Sequence, residues 1–483
     1  MLRRIHHTGL FSWVLLVFVC VGSRMATTIT YIEDPDSLRF ALSVADAYDI
    51  AAFQPHFPGY PVFWAAVKPL YVLLGSFSTA FSVVGGLATA GLIGALLALW
   101  QQPLRSAHGL ALAGAVLLNP LLWLMANRYM PDLLGAACAL AALAACLRAG
   151  IGAAERFDER AALLGVVLAG LLAGLRLSYV PLVVLPVLLV LWRSAARGRL
   201  VLAGGASVAV WLVPMIVDTG WGTLVGAAWT QTTGHFTEFG GTVQTESDFG
   251  RRTAGFVRGL WADGLGAWWP GRHPLTVAVS AGVLGLGAAG AWRLAERISW
   301  RHRTVWIGVA SVLVYAVWIF FFQNVIHKSR HVLPLIPLLL IPLAAGAAAG
   351  WRHAGGWRAL VVGAAVAYGS VTLVLVNQHR APSAIAQAKT FVARQAEQAT
   401  PTRVVSVPLV NTYLSAQDVE AHYVSVEDSS TIRRVRAAST GQTIVVGTYA
   451  ALLDWPPTRV RRFYHNPFVN RMWPEVAVFV YDH

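Results

Sequence analysis

The chain alternates long apolar stretches with short polar segments over most of its length. Most of the apolar stretches are close to the length of about 20 residues that an α-helix needs to cross the hydrocarbon core of a bilayer, although the pair within 161–192 is short per crossing. After a first span at residues 10–21, the pattern predicts spans at 79–100, 109–126, 131–148, 161–176, 178–192, 200–217, 273–292, 304–322, 332–350 and 359–376. The sequence therefore predicts an all-α polytopic membrane protein with about 11 transmembrane helices.

The first apolar run has two interpretations. Arg3 and Arg4 precede it and small residues follow it, as in a cleaved signal peptide. However, the chain continues through the largely uncharged residues 25–31 before its first acidic cluster. This continuation favours an uncleaved first span.

The charges of the short loops predict the orientation. Residues 59–74 are apolar but contain Pro61, Lys68 and Pro69, so we expect a helix in the membrane interface rather than a crossing. The cytoplasmic side of a membrane protein carries an excess of Lys and Arg in its short loops. With a cytoplasmic N-terminus, every predicted inner loop is basic, namely 101–108, 148–160, 192–199, 293–303 and 351–358. If residues 59–74 crossed, most of these arginines would lie outside.

The C-terminal residues 377–483 differ in composition from the rest. Short β-rich runs at 403–407, 422–426, 443–448 and 476–481 alternate with helical patterns at 383–398 and 429–438. We expect a small soluble α/β domain on the periplasmic side. The preceding membrane domain, 1–376, has a first periplasmic loop at 31–78 with interfacial helices and a second large periplasmic loop at 218–272.

Composition restricts the class further. Hydrophobic residues make up 56% of the chain, charged residues 12%, and the mean hydropathy is +0.58, whereas soluble domains carry about a quarter charged residues. The net charge of +14 lies largely in the short loops, so it is an orientation signal and not a nucleic-acid surface. Cys20, Cys138 and Cys146 all fall in apolar spans, so neither a disulfide framework nor a zinc site is implied.

Two polar stretches of the first outward loop could carry chemistry. The first is EDPDSLRF at 33–40, which places three carboxylates directly after a span, and the second is QPHFPGYP at 54–61. Taken alone, they are equally well explained as a solvated loop and a proline-rich turn that leads into an interfacial helix.

Together these stretches resemble the first periplasmic loop of the family 39 glycosyltransferases, which are of the GT-C type. That family includes bacterial aminoarabinose transferases acting on lipid A and relatives of the protein O-mannosyltransferases. Three further stretches resemble family positions in the same order: NRYMPD at 127–132, GLRLS at 174–178 and SRHVLPLIP at 329–337. The likeness covers residues 1–350, with departures: HFP at 56–58 replaces His-Pro-Pro, His331 stands where Tyr is usual, and no Glu follows Asp36.

The resemblance implies transfer of a sugar from a polyprenyl-phosphate donor lipid, within the membrane, to a periplasmic lipid, glycan or protein. A positioned carboxylate would take the proton of the attacking group, and fixed cations would stabilise the departing phosphate. The implied roles are catalytic base for Asp36 and then Asp34, acceptor orientation or metal binding for Asp132, and donor-phosphate binding for Arg176, Lys328 and Arg330. Arg39, His56 and Tyr60 are further first-loop candidates. No cofactor is firmly implied, and a divalent metal stays open.

Each of these residues also has a purely structural explanation. Arg176 could extend its charge from a helix end to the interface, and Asp132 could complement a helix dipole. Lys328 and Arg330 could belong to a short solvated turn. The tryptophans of 218–272 suit an interfacial belt.

Two other functional classes compete with the transferase. A secondary transporter would place ionisable residues near the middle of its spans, whereas here they cluster at the outer ends. A flippase or polymerase of polyprenyl-linked glycans is the second alternative, and the acidic first loop is less expected there. The prediction is an enzyme at the outer leaflet of the bacterial inner membrane.

Overall fold

The computed structural model describes residues 7–151, 157–353, 355–398, 401–426, 428–437, 441–449, 452 and 455–482. Arg3, Arg4 and part of the predicted inner loop 148–160 lie outside the described residues. The chain forms two compact units. The first contains Met1–Thr28 and Leu42–Asn377, and the second contains Ile29–Ala41 and Gln378–His483.

The first unit is built from α-helices. In chain order the helices are α1 (His7–Ala26), α2 (Pro35–Ala45), α3 (Pro61–Leu74), α4 (Phe77–Trp100), α5 (Ala107–Leu117), α6 (Pro120–Asn127), α7 (Asp132–Arg148), α8 (Glu159–Arg176), α9 (Pro181–Arg193), α10 (Arg197–Thr219), α11 (Trp221–Gly234), α12 (Phe249–Arg258), α13 (Leu275–Arg297), α14 (Arg303–Phe322), α15 (Ile336–Arg352) and α16 (Gly356–His379). Helices α2 and α16 carry residues of both units.

The length and apolarity of these helices make the chain a multi-pass membrane protein. Within the described residues, α1, α4, α8, α10, α13, α14 and α16 are long and apolar enough to cross a membrane, and a bent pair of helices brings the count to eight. Helices α3, α9 and α15 are apolar but shorter. The number of about 11 spans therefore stays a prediction.

The predicted span 109–126 is not one helix. It is the pair α5 and α6, which meet at an angle of 57°. Pro120 begins α6 and has no N–H to donate to α5, so the first helix cannot continue through it. The side chain of Asn119 caps α6 by accepting a backbone N–H.

Distant side chains satisfy the carbonyls at this bend. Arg24 Nη2 donates to the carbonyl oxygen of Leu117 at 3.2 Å, and the Thr372 hydroxyl donates to that of Leu118 at 2.5 Å. Backbone polar groups inside a membrane domain need such partners because no bulk water reaches them. The bend is thus stabilised by α1 and α16, which lie far from it in sequence.

The predicted loop 218–272 is largely helical. Helix α11 continues into a π-helical turn at His235–Phe239, and α12 continues into another at Gly259–Gly264. Asp248 caps α12 by accepting from the backbone N–H of Arg251. The abundance of Gly and Trp hid these helices from the sequence pattern.

The second unit contains a five-stranded sheet in the order β2-β1-β3-β5-β4. Its elements are α17 (Ala384–Gln398), β1 (Thr402–Ser406), α18 (Pro408–Ser415), β2 (His422–Ser425), α19 (Ser429–Ala437), β3 (Gln442–Val446), β4 (Arg459–Tyr464) and β5 (Glu475–Tyr481). Strand β1 is parallel to β2 and β3, with Val404 opposite Tyr423 and Ile444, and β5 is antiparallel to β3 and β4. This confirms the predicted small C-terminal α/β fold, to which the structure adds β4 and α18.

Candidate active site

A buried ion pair lies at the centre of the candidate site in the first unit. Asp132 is the first residue of α7 and Arg176 is the last residue of α8. Arg176 Nη2 lies 3.0 Å from Asp132 Oδ1, and both side chains are almost fully buried. Each charge suits its helix end, because the dipole favours an anion at the N-terminus and a cation at the C-terminus. Their depth requires the pairing as well, since an isolated buried charge is strongly unfavourable.

Tyrosines and a histidine extend this pair into a chain of hydrogen bonds. Arg176 Nη1 donates to the Tyr60 hydroxyl at 3.0 Å, and that hydroxyl lies 2.9 Å from His56 Nε2. On the other side, the Tyr179 hydroxyl lies 3.2 Å from Asp132 Oδ1. We call His56, Tyr60, Arg176, Asp132 and Tyr179 the Asp132 network.

The backbone at Tyr60 is held in an uncommon conformation. Tyr60 has φ 49° and ψ 44°, and Gly59 before it has φ 84°. A bulky side chain in this left-handed region is rare and carries strain, which tends to occur at functional sites. The Tyr48 hydroxyl donates to the carbonyl of Gly59 at 3.0 Å, and a side chain at Gly59 would come within 2.7 Å of Ile50 Cδ1. Glycine is therefore required at position 59 of this turn.

Close helix packing fixes the Arg176 side chain. A Cβ atom at Gly135 of α7 would lie 2.7 Å from Arg176 Cβ, so only glycine allows this approach. The guanidinium carbon lies 5.6 Å from the centre of the Tyr60 ring and 5.7 Å from that of Tyr179. Both are cation–π distances. Arg176 is thus oriented by a carboxylate and two aromatic rings.

The two other predicted phosphate-binding cations lie near a 3₁₀ helix at Ser329–Val332. The imidazole of His331 is buried there. Burial is the main cause that lowers its pKa far below the usual value, and the positive charges of Arg330, Arg176 and Lys328 lower it further. His331 is therefore neutral. All three cations therefore lie close enough to act on this one ring, although Arg176 is already paired with Asp132.

Hydrogen bonds tie this turn to the Asp132 network. The Tyr179 hydroxyl lies 2.9 Å from the carbonyl oxygen of Arg330, and the Tyr315 hydroxyl donates to that of His331 at 2.7 Å. Arg330 Nη1 lies 3.0 Å from Met130 Sδ, two residues before Asp132. The three stretches 127–132, 174–178 and 329–337, which resemble family positions, therefore contact one another through these residues.

The acidic stretch at residues 33–40 belongs to the second unit. Asp34 Oδ1 accepts from the backbone N–H of Ser37 at 2.7 Å and caps α2. Asp36 Oδ1 lies 3.7 Å from Arg39 Nη1, and the Asp36 side chain keeps 14% of its surface exposed. Asp34 is only 5% exposed. Asp36 is thus the more accessible of the two carboxylates.

The structure groups the predicted site residues in two sets. The first unit contains His56, Tyr60, Asp132, Arg176, Lys328 and Arg330, and the second contains Asp34, Asp36 and Arg39. Tyr179 and Tyr315 were not predicted, although Tyr179 directly follows the stretch 174–178. Among the described residues, no group of three His, Cys, Asp or Glu side chains is arranged to hold a metal ion.

No known protein-family model and no curated protein matches this sequence. Solved structures do match in fold. The crystal structure of ArnT from Cupriavidus metallidurans in the apo state has a TM-score of 0.54 and 15% identity, and the match covers 97% of both chains. The structure of the same protein bound to undecaprenyl phosphate has a TM-score of 0.52 and 14% identity, with 98% of both chains covered. The predicted GT-C-like fold class is thus confirmed over nearly the whole length of the chain.

Proposed function

We propose that this protein is an integral-membrane glycosyltransferase that moves a sugar from a polyprenyl-phosphate donor to an acceptor on the extracytoplasmic side. The observation that carries the proposal is the buried Asp132–Arg176 pair and its tyrosines, in a chain that shares its fold with a protein solved with undecaprenyl phosphate. The N-terminus would be cytoplasmic and the C-terminal domain periplasmic, in the inner membrane.

The cations would bind the donor phosphate. When the bond between the anomeric carbon and the phosphate oxygen breaks, the phosphate gains negative charge. Arg176, Lys328 and Arg330 already place positive charge in one region, as the lowered pKa of His331 indicates. Fixed cations in a partly buried site stabilise developing charge more strongly than in water, because the local dielectric constant is lower.

The base would be Asp36. An acceptor hydroxyl or amine attacks the anomeric carbon, its new bond forms as the phosphate leaves, and its proton passes to a carboxylate. Asp34 uses Oδ1 to cap α2 and is buried, whereas Asp36 is partly exposed. These contacts favour Asp36 over Asp34 for this role. Displacement from the face opposite the leaving phosphate would invert the anomeric configuration.

Asp132 would orient the acceptor. Its Oδ1 is occupied by Arg176 and Tyr179. Its Oδ2 is buried without a hydrogen-bond partner in the described part of the chain. Buried polar atoms generally have a partner, and an acceptor hydroxyl is one that Oδ2 can take.

The charge distribution of the spans supports an enzyme over a transporter. In the helices identified above as long enough to cross, Asp, Glu, Lys and Arg lie within about one and a half turns of a helix end. A transport pathway requires ionisable groups near the middle of the membrane. A catalytic site at one surface requires them at the ends, as found here.

Binding of the lipid phosphate tests this proposal. We expect the purified full-length protein to bind undecaprenyl phosphate at least about tenfold more tightly than undecaprenol, since a charged hydrogen bond contributes about 1.5–3 kcal/mol. Intrinsic tryptophan fluorescence in detergent would report both affinities. Arg330→Gln should remove most of the difference, while Arg461→Gln, on the exposed strand β4, should keep it. Equal affinity for the two lipids in the wild type would contradict a donor-phosphate site.

A further inference from the structure

Glu33, the residue directly before Asp34, forms a buried hydrogen bond within the second unit. Glu33 Oε2 lies 2.9 Å from Nε2 of His379, the last residue of α16. Glu33 is 0% exposed and His379 is 1% exposed. A carboxylate at this depth is held by its partner and is closed to substrate, so Glu33 cannot serve as the base.

Three further hydrogen bonds hold the same short segment. The Tyr31 hydroxyl donates to the carbonyl of His379 at 2.8 Å, and the Ser383 hydroxyl donates to that of Glu33 at 2.7 Å. The Tyr413 hydroxyl donates to the carbonyl of Ile32 at 2.6 Å. Residues 31–33 are thus joined by four side-chain bonds to a part of the chain more than 340 residues away in sequence.

Asp34 and Pro35, the two residues between Glu33 and Asp36, are themselves constrained. Asp34 is bonded to the backbone N–H of Ser37. Pro35 is the first residue of α2, and its ring fixes the backbone angle φ there. A displacement of Glu33 would therefore pass directly to the Asp36 carboxylate.

We propose that Glu33 and His379 are positioning residues that hold Asp36 for proton abstraction, and that the C-terminal unit is in this way a required part of the catalytic apparatus. This inference rests on the proposed function. The three acidic residues of the segment then have three roles: Glu33 anchors it, Asp34 caps the helix and Asp36 accepts the proton.

Kinetics of three variants test the inference. In His379→Ala we expect kcat for sugar transfer to fall about 10- to 100-fold, because a misplacement of about 1 Å costs that much. KM for the donor should stay within about twofold, since the loss affects the chemical step. His379→Gln should recover most of kcat because its amide N–H can still donate to Glu33. Asn411→Ala removes a buried side chain of the same unit whose amide donates to the carbonyls of Ser406 and Val424, and serves as the control for general destabilisation.

A spin label gives a readout that does not depend on activity. Thr30 is exposed and directly precedes residues 31–33. A nitroxide on Thr30→Cys therefore reports the mobility of this segment by electron paramagnetic resonance. We expect a mobile spectrum in His379→Ala and a restricted one in the wild type, His379→Gln and Asn411→Ala. Equal losses of kcat in His379→Ala and Asn411→Ala would reduce the pair to a structural role and overturn the inference.

The two proposals fail in different ways. A wild-type protein that transfers sugar, together with a His379→Ala variant that keeps wild-type kcat, overturns the positioning role alone. A wild-type protein that uses no polyprenyl-phosphate sugar overturns the proposed function, while the spin label still shows whether the pair orders the segment.

Discussion

Each unit contains a buried pair of an acidic and a basic side chain, and the charges around the two pairs differ in sign. Asp132–Arg176, at 3.0 Å, lies among tyrosines in a unit that adds Arg330 and Lys328. Glu33–His379, at 2.9 Å, lies beside two more carboxylates, Asp34 and Asp36. A buried pair is weak evidence for stability but can fix geometry. In the proposed mechanism, one buried pair therefore organises the cations that bind the phosphate, and the other positions the carboxylate that accepts the proton.

The largest effect expected is in the acidic segment. Asp36→Asn should lower kcat about 10²- to 10⁴-fold, because an amide cannot accept the proton. Asp46→Asn, at an exposed position just after α2, is the control and should leave kcat unchanged. Initial rates of label transfer measure both. A kcat for Asp36→Asn near that of the wild type would show that Asp36 is not the catalytic base.

The next effect concerns the cation side. Arg176→Gln leaves Asp132 buried without its counter-charge and should lower the free energy of unfolding by about 3–5 kcal/mol. Adding Asp132→Asn to that variant should restore a large part of it, so the two substitutions are not additive. Thermal unfolding in detergent of the two single variants and the double variant measures the coupling. Purely additive shifts would show that the pair contributes no coupling.

A smaller effect is expected at Tyr60. Tyr60→Phe removes the hydroxyl between Arg176 and His56, and a hydrogen bond to a charged group contributes about 1.5–3 kcal/mol, so kcat/KM should fall at least about tenfold. Tyr71→Phe, on helix α3 that follows Tyr60 directly, is the matched control. If both variants behave like the wild type, the Asp132 network does not extend to the first loop.

The smallest effect is expected at Asp34, and it distinguishes the role of Asp34 from that of Asp36. Asn is as good a helix N-cap as Asp, so Asp34→Asn should change neither the thermal midpoint nor kcat appreciably. Asp34→Ala should lose about 1 kcal/mol of stability because the cap is removed. A loss of activity in Asp34→Asn that exceeds the loss in Asp36→Asn would transfer the role of base to Asp34.

The seven long apolar helices of the described residues were predictable because their length and apolarity match the thickness of the bilayer. The bend at Asn119-Pro120 was missed because the apolar run continues through it, and its carbonyls depend on Arg24 and Thr372, which are remote in sequence. Strand β4 was missed because RVRRFY is charged and mostly exposed, so it lacks an apolar alternation. Such features depend on tertiary contacts rather than on local pattern.

The sequence predicted which charged residues are candidates for the site, but not which of them are connected. The carboxylates and arginines stood out as charges at the ends of apolar spans, and Asp132 and Arg176 do pair. No pattern in the sequence joins Glu33 to His379, because the two are 346 residues apart. Tyr179 was indicated only weakly in the sequence, by its position directly after the stretch 174–178.

Turnover of the donor lipid tests the central claim most directly. The purified protein in lipid vesicles would receive radiolabelled polyprenyl-phosphate sugars one at a time, with a membrane extract as the source of acceptors. The account predicts that the wild type cleaves the sugar–phosphate bond of one donor and moves the label to a product, and that Asp36→Asn does not. Movement of an intact donor across the vesicle membrane without cleavage would instead identify a flippase. Cleavage that survives substitution of both Asp34 and Asp36 would contradict the mechanism.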